Sequence, residues 1–283
     1  VREAGVRGLI AIVAAAAALQ AVAVGAAEAP AKPADYRTIS PDDLLVVDTN
    51  KGRILVELSP IAAPAHVERL RTLARRHFYD GQTFFRVIDD FMAQTGDPTN
   101  TGEGGSTLPD LKAEFSFRRG AGEAFVKAAK VDDQIVGFIG ALPVGTQPDD
   151  LMLMTADSKV TAWPLFCPGV LGMARNANED SANSQFFFMR AAYPTLDRKY
   201  TGFARVVSGE EVVRAIKTGE PVQEPRDKML KVRLASDLPE AERPKVQILD
   251  TRSAAFAALL ESERAKAGAD FSICDVSIPV IVQ

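Results

Sequence analysis

Two stretches of this 283-residue chain carry side chains whose types and spacing could do chemistry. In Phe84 to Pro98 (FFRVIDDFMAQTGDP), Arg86 stands five and six residues ahead of the pair Phe91-Met92, and Gln94 follows two residues after it. In Met173 to Phe188 (MARNANEDSANSQFFF), a second amide, Gln185, precedes three consecutive phenylalanines. The combination reads as an apolar pocket with a few fixed donors. Neither stretch contains histidine, cysteine or a metal-ligand spacing, so the pocket suits a reaction that needs no covalent nucleophile. Rotation about an X-Pro bond is such a reaction. Its barrier is about 20 kcal/mol, it takes tens of seconds unaided, and it breaks no covalent bond.

The two stretches resemble the paired active-site motifs of the cyclophilins, the peptidyl-prolyl cis-trans isomerases. The pattern F-x-R, two hydrophobic residues, x-x-F-M-x-Q-x-G-D runs without a gap from Phe84 to Asp97. Met173-Ala-Arg175 and then Ser184-Gln-Phe-Phe187 supply the second motif in the expected order. The resemblance spans about residues 44 to 115 and 168 to 250. It implies a mainly β fold, a closed antiparallel eight-stranded barrel capped by two helices, here with an inserted flap and a C-terminal extension of helix and strand.

The resemblance also implies roles. Arg86 and Gln94 take the catalytic positions: the arginine donates to the prolyl nitrogen as it becomes pyramidal, and its planar fork also contacts the substrate carbonyl. Gln94 and Gln185 match the two amide positions, of which one supports Arg86 and the other contacts the peptide backbone. Phe91, Met92, Phe187 and Leu196 form the dry pocket for the proline ring. Ala174 and Arg175 match the segment that pairs with the substrate main chain; arginine stands where asparagine is common, so only the backbone role carries over. Thr195 replaces a tryptophan found in many eukaryotic members, and Tyr200 replaces a histidine. Tyr200 can still wall the pocket, whereas Thr195 has no indole N–H, so weak cyclosporin binding is expected. Taken singly, such an arginine is usually a surface ion pair and such aromatics are usually core. The intact motif around them is what marks a site.

The elements that must position these residues are legible as patterns. Leu44 to Thr49 and Arg53 to Leu58 read as strands joined at Asn50-Lys51-Gly52. Pro60 to Arg76 has apolar residues at helical spacing, with His66 and His77 expected to be solvated. Strands are expected at Thr83 to Ile88, Phe91 to Gln94, Gln185 to Met189 and Phe203 to Val207, a helix at Glu210 to Lys217, and a closing strand at Lys245 to Leu249. The loop Gly96 to Ser106 lacks the Gly-Lys-Ser/Thr ending of a phosphate cradle. An insertion at about 118 to 168 is too apolar for a disordered linker and reads as a packed flap that extends the core or shapes substrate entry. Within the extension, 251 to 283, a helix is expected at Arg252 to Lys266 and a strand at Phe271 to Val282. Cys167 and Cys274 are the only cysteines; they are either a bridge tying the insertion to the tail or two buried thiols.

Residues 1–27 have the layout of a signal peptide: Arg2 and Arg7, an alanine-rich apolar run, then Gly25-Ala-Ala27. Residues 28–43, with Pro30, Pro33 and Pro41, read as a flexible tether to an isomerase domain at 44–250. The expected setting is periplasmic. A net charge of -4 without a basic stripe argues against nucleic acid as partner. Proline-containing unfolded or partly folded polypeptides are the expected partners. No cofactor, no metal, no membrane contact beyond the leader and a monomeric state are expected. The rival reading is a non-catalytic chaperone or assembly module that holds proline segments in the same groove.

Overall fold

The computed structural model describes residues 31–283, so the expected leader at 1–27 and the start of the tether lie outside the described residues. The chain runs β1 (Tyr36–Thr38), β2 (Leu44–Thr49), β3 (Gly52–Leu58), helix α1 (Pro64–Arg75), β4 (Arg86–Ile88) and β5 (Met92–Thr95). Five strands follow in the segment expected to be an insertion: β6 (Phe117–Arg119), β7 (Phe125–Val131), β8 (Gln134–Ile139), β9 (Leu142–Thr146) and β10 (Val160–Pro164). Then come β11 (Val170–Met173), β12 (Phe186–Met189), β13 (Gly202–Ser208), α2 (Glu210–Ala215), β14 (Met229–Leu234), β15 (Val246–Leu249), α3 (Ala254–Ala267) and β16 (Val280–Val282). Among the described residues no helix is long and apolar enough to cross a membrane.

Eight strands form the principal antiparallel sheet in the order β14-β2-β3-β13-β11-β12-β5-β4. The expected closed barrel is instead an open half-barrel. Among the described residues, the two ends of the sheet are joined only by isolated bridges beside β14 and β4, Thr83 with Lys228 and Val87 with Gly219. The segment facing β4 carries Pro221 and Pro225, which have no amide N–H to give to a continuous ladder.

Period-2 alternation sorts the sheet's side chains onto two faces. Leu45, Val47, Ile54, Val56, Ala93, Leu171, Phe186 and Phe188 join Val67, Leu70 and Leu73 of α1 and Val212 and Val213 of α2 in a first core. The opposite face is covered too, which explains why Phe186–Met189 is an unbroken apolar run rather than an alternating one. Met92, Val170, Phe187 and Met189 pack into a second core with Phe138, Val144 and Trp163 of the insertion and Phe256, Leu260 and Val276 of the tail. Leu44, Val46 and Leu55 pack into a third with Val246 and Ile248.

The expected insertion folds as a five-stranded sheet, order β6-β10-β9-β8-β7, with a 3-10 turn at Asp149–Met154. Its link to the tail is covalent: Cys167 and Cys274 are bridged, with their α-carbons 4.9 Å apart. Closing a loop across 107 residues of sequence removes unfolded-chain entropy, a stabilisation of about 4 to 5 kcal/mol in the loop-entropy account.

Other expectations need correction. The tether is not a free linker beyond residue 35, because Tyr36–Thr38 pairs with Leu249–Gln247 of β15. β15 does not close the principal sheet. It is the centre of a separate sheet, β1-β15-β16, so the expected domain boundary after residue 250 falls within one packed unit. The principal sheet is completed by β14 instead. The tail strand is confined to Val280–Val282; before it, 3-10 turns at Gly268–Asp270 and Ile273–Asp275 bury Ile273 and Val276. His66 is fully buried rather than solvated, and its Nδ1 lies 2.7 Å from Glu114, whose carboxylate also accepts the N–H groups of Ala65 and His66 at the start of α1.

Candidate active site

Strand register puts the first donors together. Arg86 of β4 lies opposite Gln94 of β5, and Gln94 lies opposite Phe187 of β12, which lies opposite Gly172 of β11. A Cβ at Gly172 would sit 2.5 Å from the Phe187 ring and 2.6 Å from the Phe166 ring. Glycine therefore lets both rings lie against the sheet. They stack with centroids 6.0 Å apart.

Side-chain amides carry the polar half of the site. Arg86 Nη1 donates to Gln94 Oε1 at 3.4 Å, and Gln94 Nε2 donates to Gln185 Oε1 at 2.9 Å. Gln185 Nε2 in turn donates to the carbonyls of Gly102 and Gly104 at 2.9 and 2.7 Å. Because each amide has one accepting and one donating end, this chain fixes the orientation of both glutamines. The glycine loop is itself anchored by Asp97, which is fully buried and accepts N–H groups of Thr99, Thr101, Gly102 and Gly104. Burial pushes the Asp97 carboxyl up, but the bonds from Thr99, Gly102 and Gly104 outweigh it and hold it below the usual carboxylate range. Gly102 to Ser106, Gln94, Ala174, Arg175 and Gln185 line a polar cleft of about 460 Å³.

The apolar half belongs to the second core, where Met92, Phe187 and Leu196 are buried and Phe91, Ala174 and Tyr200 pack partly exposed. The Phe91 ring lies 4.5 Å from that of Tyr193, and the Arg86 guanidinium lies 6.0 Å from the Phe91 ring centre. Tyr200 meets Phe187 edge-on at 6.2 Å. Leu196 ends a 3-10 turn, Pro194–Leu196, and its carbonyl accepts the Tyr200 N–H. Ala174 N–H donates to the Gln185 carbonyl. The Arg175 guanidinium stacks 4.5 Å over Tyr200 and donates to the carbonyls of Lys199 and Asn176, so its side chain braces the wall beside the cleft.

All ten residues singled out in the sequence are thus joined through direct contacts or through the second core. Three further contributors were missed. Glu220 accepts from Arg86 Nε at 2.6 Å. Phe166 backs Phe187 from the end of the insertion. Asp197 Oδ1 accepts the Phe166 N–H at 2.9 Å, and the Phe166 carbonyl accepts from Tyr193, so the insertion is clamped to the turn that carries Leu196. Burial raises the Asp197 carboxyl to about 6, with the Phe166 N–H and Arg198 opposing the shift. Asp97 ends the first motif and could have been read as a loop anchor, whereas Glu220 lies 134 residues from its partner and carries no local signal.

Known proteins are similar to this chain in sequence and fold. Residues 44–236 match the family described as cyclophilin type peptidyl-prolyl cis-trans isomerase/CLD. A probable peptidyl-prolyl cis-trans isomerase of Brucella suis biovar 1 (strain 1330) is 34% identical over 239 residues, covering 79% of this chain and 95% of the relative. The peptidyl-prolyl cis-trans isomerase ppi1 of Schizosaccharomyces pombe is 35% identical over 168 residues, covering 59% of this chain and 81% of the relative. The crystal structure of cyclophilin AquaCyp293 from Hirschia baltica superposes with a TM-score of 0.81 at 32% identity, covering 87% of this chain and 93% of that one. With this match over most of its length, the chain belongs to the cyclophilin-type peptidyl-prolyl cis-trans isomerases, the family that catalyses rotation about X-Pro bonds.

Proposed function

We propose that the isomerase works through Arg86, acting on proline-containing segments of exported polypeptides. The proline ring enters the apolar half of the site, where Met92, Phe187 and Leu196 exclude water. The twisted amide is less polar than the planar one, so a dry environment favours the transition state. As resonance is lost, the prolyl nitrogen becomes a better acceptor, and an N–H of Arg86 donates to it. No proton is transferred and no bond is broken. The observation that carries this reading is the placement of a half-exposed guanidinium beside Phe91, tethered on one side by the Gln94–Gln185 amide chain.

A protease-coupled assay on a short proline peptide tests it. The wild-type chain accelerates cis-to-trans conversion, and Arg86→Ala lowers kcat/KM by about tenfold or more, equivalent to at least ~1.4 kcal/mol of barrier. No acceleration by either protein would favour the proline-segment-binding chaperone.

Export to the periplasm is supported by the basic-apolar-small layout of residues 1–27 and by the Cys167–Cys274 bridge, which suits an oxidising compartment. Protein recovered from the periplasmic fraction should begin at or near Glu28. Full-length chain held in the membrane fraction would overturn this assignment.

A further inference from the structure

Glu220 lies outside both motifs, yet its carboxylate makes the shortest hydrogen bond to Arg86, 2.6 Å from Nε, against 3.4 Å between Nη1 and Gln94. The contact is built rather than casual. Gly219 and Val87 exchange both backbone hydrogen bonds at 2.8 Å, and Val222 N–H donates to the Phe85 carbonyl at 2.9 Å. Glu220 is therefore held between two anchor points on the residues that flank Arg86. A Cβ at Gly219 would lie 2.7 Å from Val222 Cα, so this tight turn requires glycine.

Stability is not what the pair supplies. Glu220 is 55% and Arg86 35% exposed, and exposed ion pairs contribute only about 0 to 1 kcal/mol. Geometry is the larger effect. A free arginine side chain has about 2 kcal/mol of rotamer entropy to lose on being fixed, and the long Gln94 contact alone is too weak to fix it. With Nε held by Glu220 and Nη1 by Gln94, the guanidinium plane is defined by two contacts. Among the described residues Nη2 has no partner and is left for the substrate.

We infer that Glu220 is a positioning residue for Arg86, holding the fork in the orientation that donates to the prolyl amide. This rests on the proposed role of Arg86. Because the held fork acts on the twisted amide, loss of Glu220 should appear in kcat rather than in KM.

Five chains are compared on one proline peptide: wild type, Glu220→Ala, Glu220→Gln, Arg86→Ala and the double variant Arg86→Ala/Glu220→Ala, with melting curves to verify folding. Glu220→Ala is expected to lose about tenfold in kcat, the scale of a mispositioned group, with KM nearly unchanged. Glu220→Gln, which keeps an oxygen acceptor for Nε, restores the rate to within about threefold. In the Arg86→Ala background, Glu220→Ala has no further effect. Wild-type kcat in Glu220→Ala, or an equal further loss in the Arg86→Ala background, overturns the assignment while leaving Arg86 in place. Wild-type rate in Arg86→Ala instead removes the reading beneath it.

Discussion

The two faces of the principal sheet are buried by different material, and the comparison separates what the motif supplies from what supports it. One face packs against α1 and α2 in the first core, built from residues within the family match. The other face packs against the insertion and the tail. Every apolar residue proposed for the proline pocket, Phe91, Met92, Phe187, Leu196 and Tyr200, lies on this second side. The segment read as an insertion thus extends the core and, through Phe166 against Phe187, backs the proposed pocket. The donors differ: strand register sets Arg86 opposite Gln94, and hydrogen bonds to Glu220 and Gln185, rather than the material covering the sheet, hold their side chains.

The sharpest way to break this comparison is to hollow out each core in turn. Phe166 and Leu70 are both buried, one in each core. Phe166→Ala should cost about 3 to 5 kcal/mol and Leu70→Ala about 2 to 5 kcal/mol in denaturant unfolding. At a temperature where both remain folded, only Phe166→Ala should raise KM for a proline peptide, because its ring supports Phe187. Equal KM changes in the two variants would mean that the cores do not divide the work.

A smaller effect sharpens the same comparison at the clamp between insertion and pocket turn. The Asp197 carboxyl is raised from its ordinary 3.8 to about 6 in the folded chain. Over that interval the folded state binds more protons than the unfolded one, so stability falls as pH rises. The contribution of Asp197 is fully present below about pH 3.8 and lost as pH passes about 6. Asp197→Asn keeps an oxygen for the Phe166 N–H without the buried charge. Discounted for partial solvent exposure, the variant should be more stable than wild type by ~1 kcal/mol at pH 8, with the difference vanishing near pH 4. Unfolding midpoints at the two pH values measure it. A variant less stable than wild type at pH 8 would show that the charge itself holds the clamp.

How much of this was legible in the chain follows from which interactions are local. The hairpin of β2 and β3 announced itself through alternation around Asn50-Lys51-Gly52, and the motif residues through their spacing. β14 (MLKVRL) did not stand out, because a short mixed run is ambiguous without its neighbour β2. The sheet β1-β15-β16 joins segments from both ends of the described chain, so no local pattern reports it. His66 was misread because a helical histidine looks solvated until Glu114, 48 residues further along the chain, packs against it. Glu220 was invisible for the same reason: its turn becomes part of the site only when residues 219–222 dock on the strand of Arg86.

Separating kcat from KM for Arg86→Ala tests the central claim most directly, since the claim is that the guanidinium acts on the twisted amide and the apolar half binds the ring. The prediction is a fall in kcat of about tenfold or more with KM within about threefold of wild type, measured on one proline peptide with the variant's fold verified by its melting curve. A loss confined to KM, or a kcat equal to wild type, would contradict it and make Arg86 a binding group or a bystander.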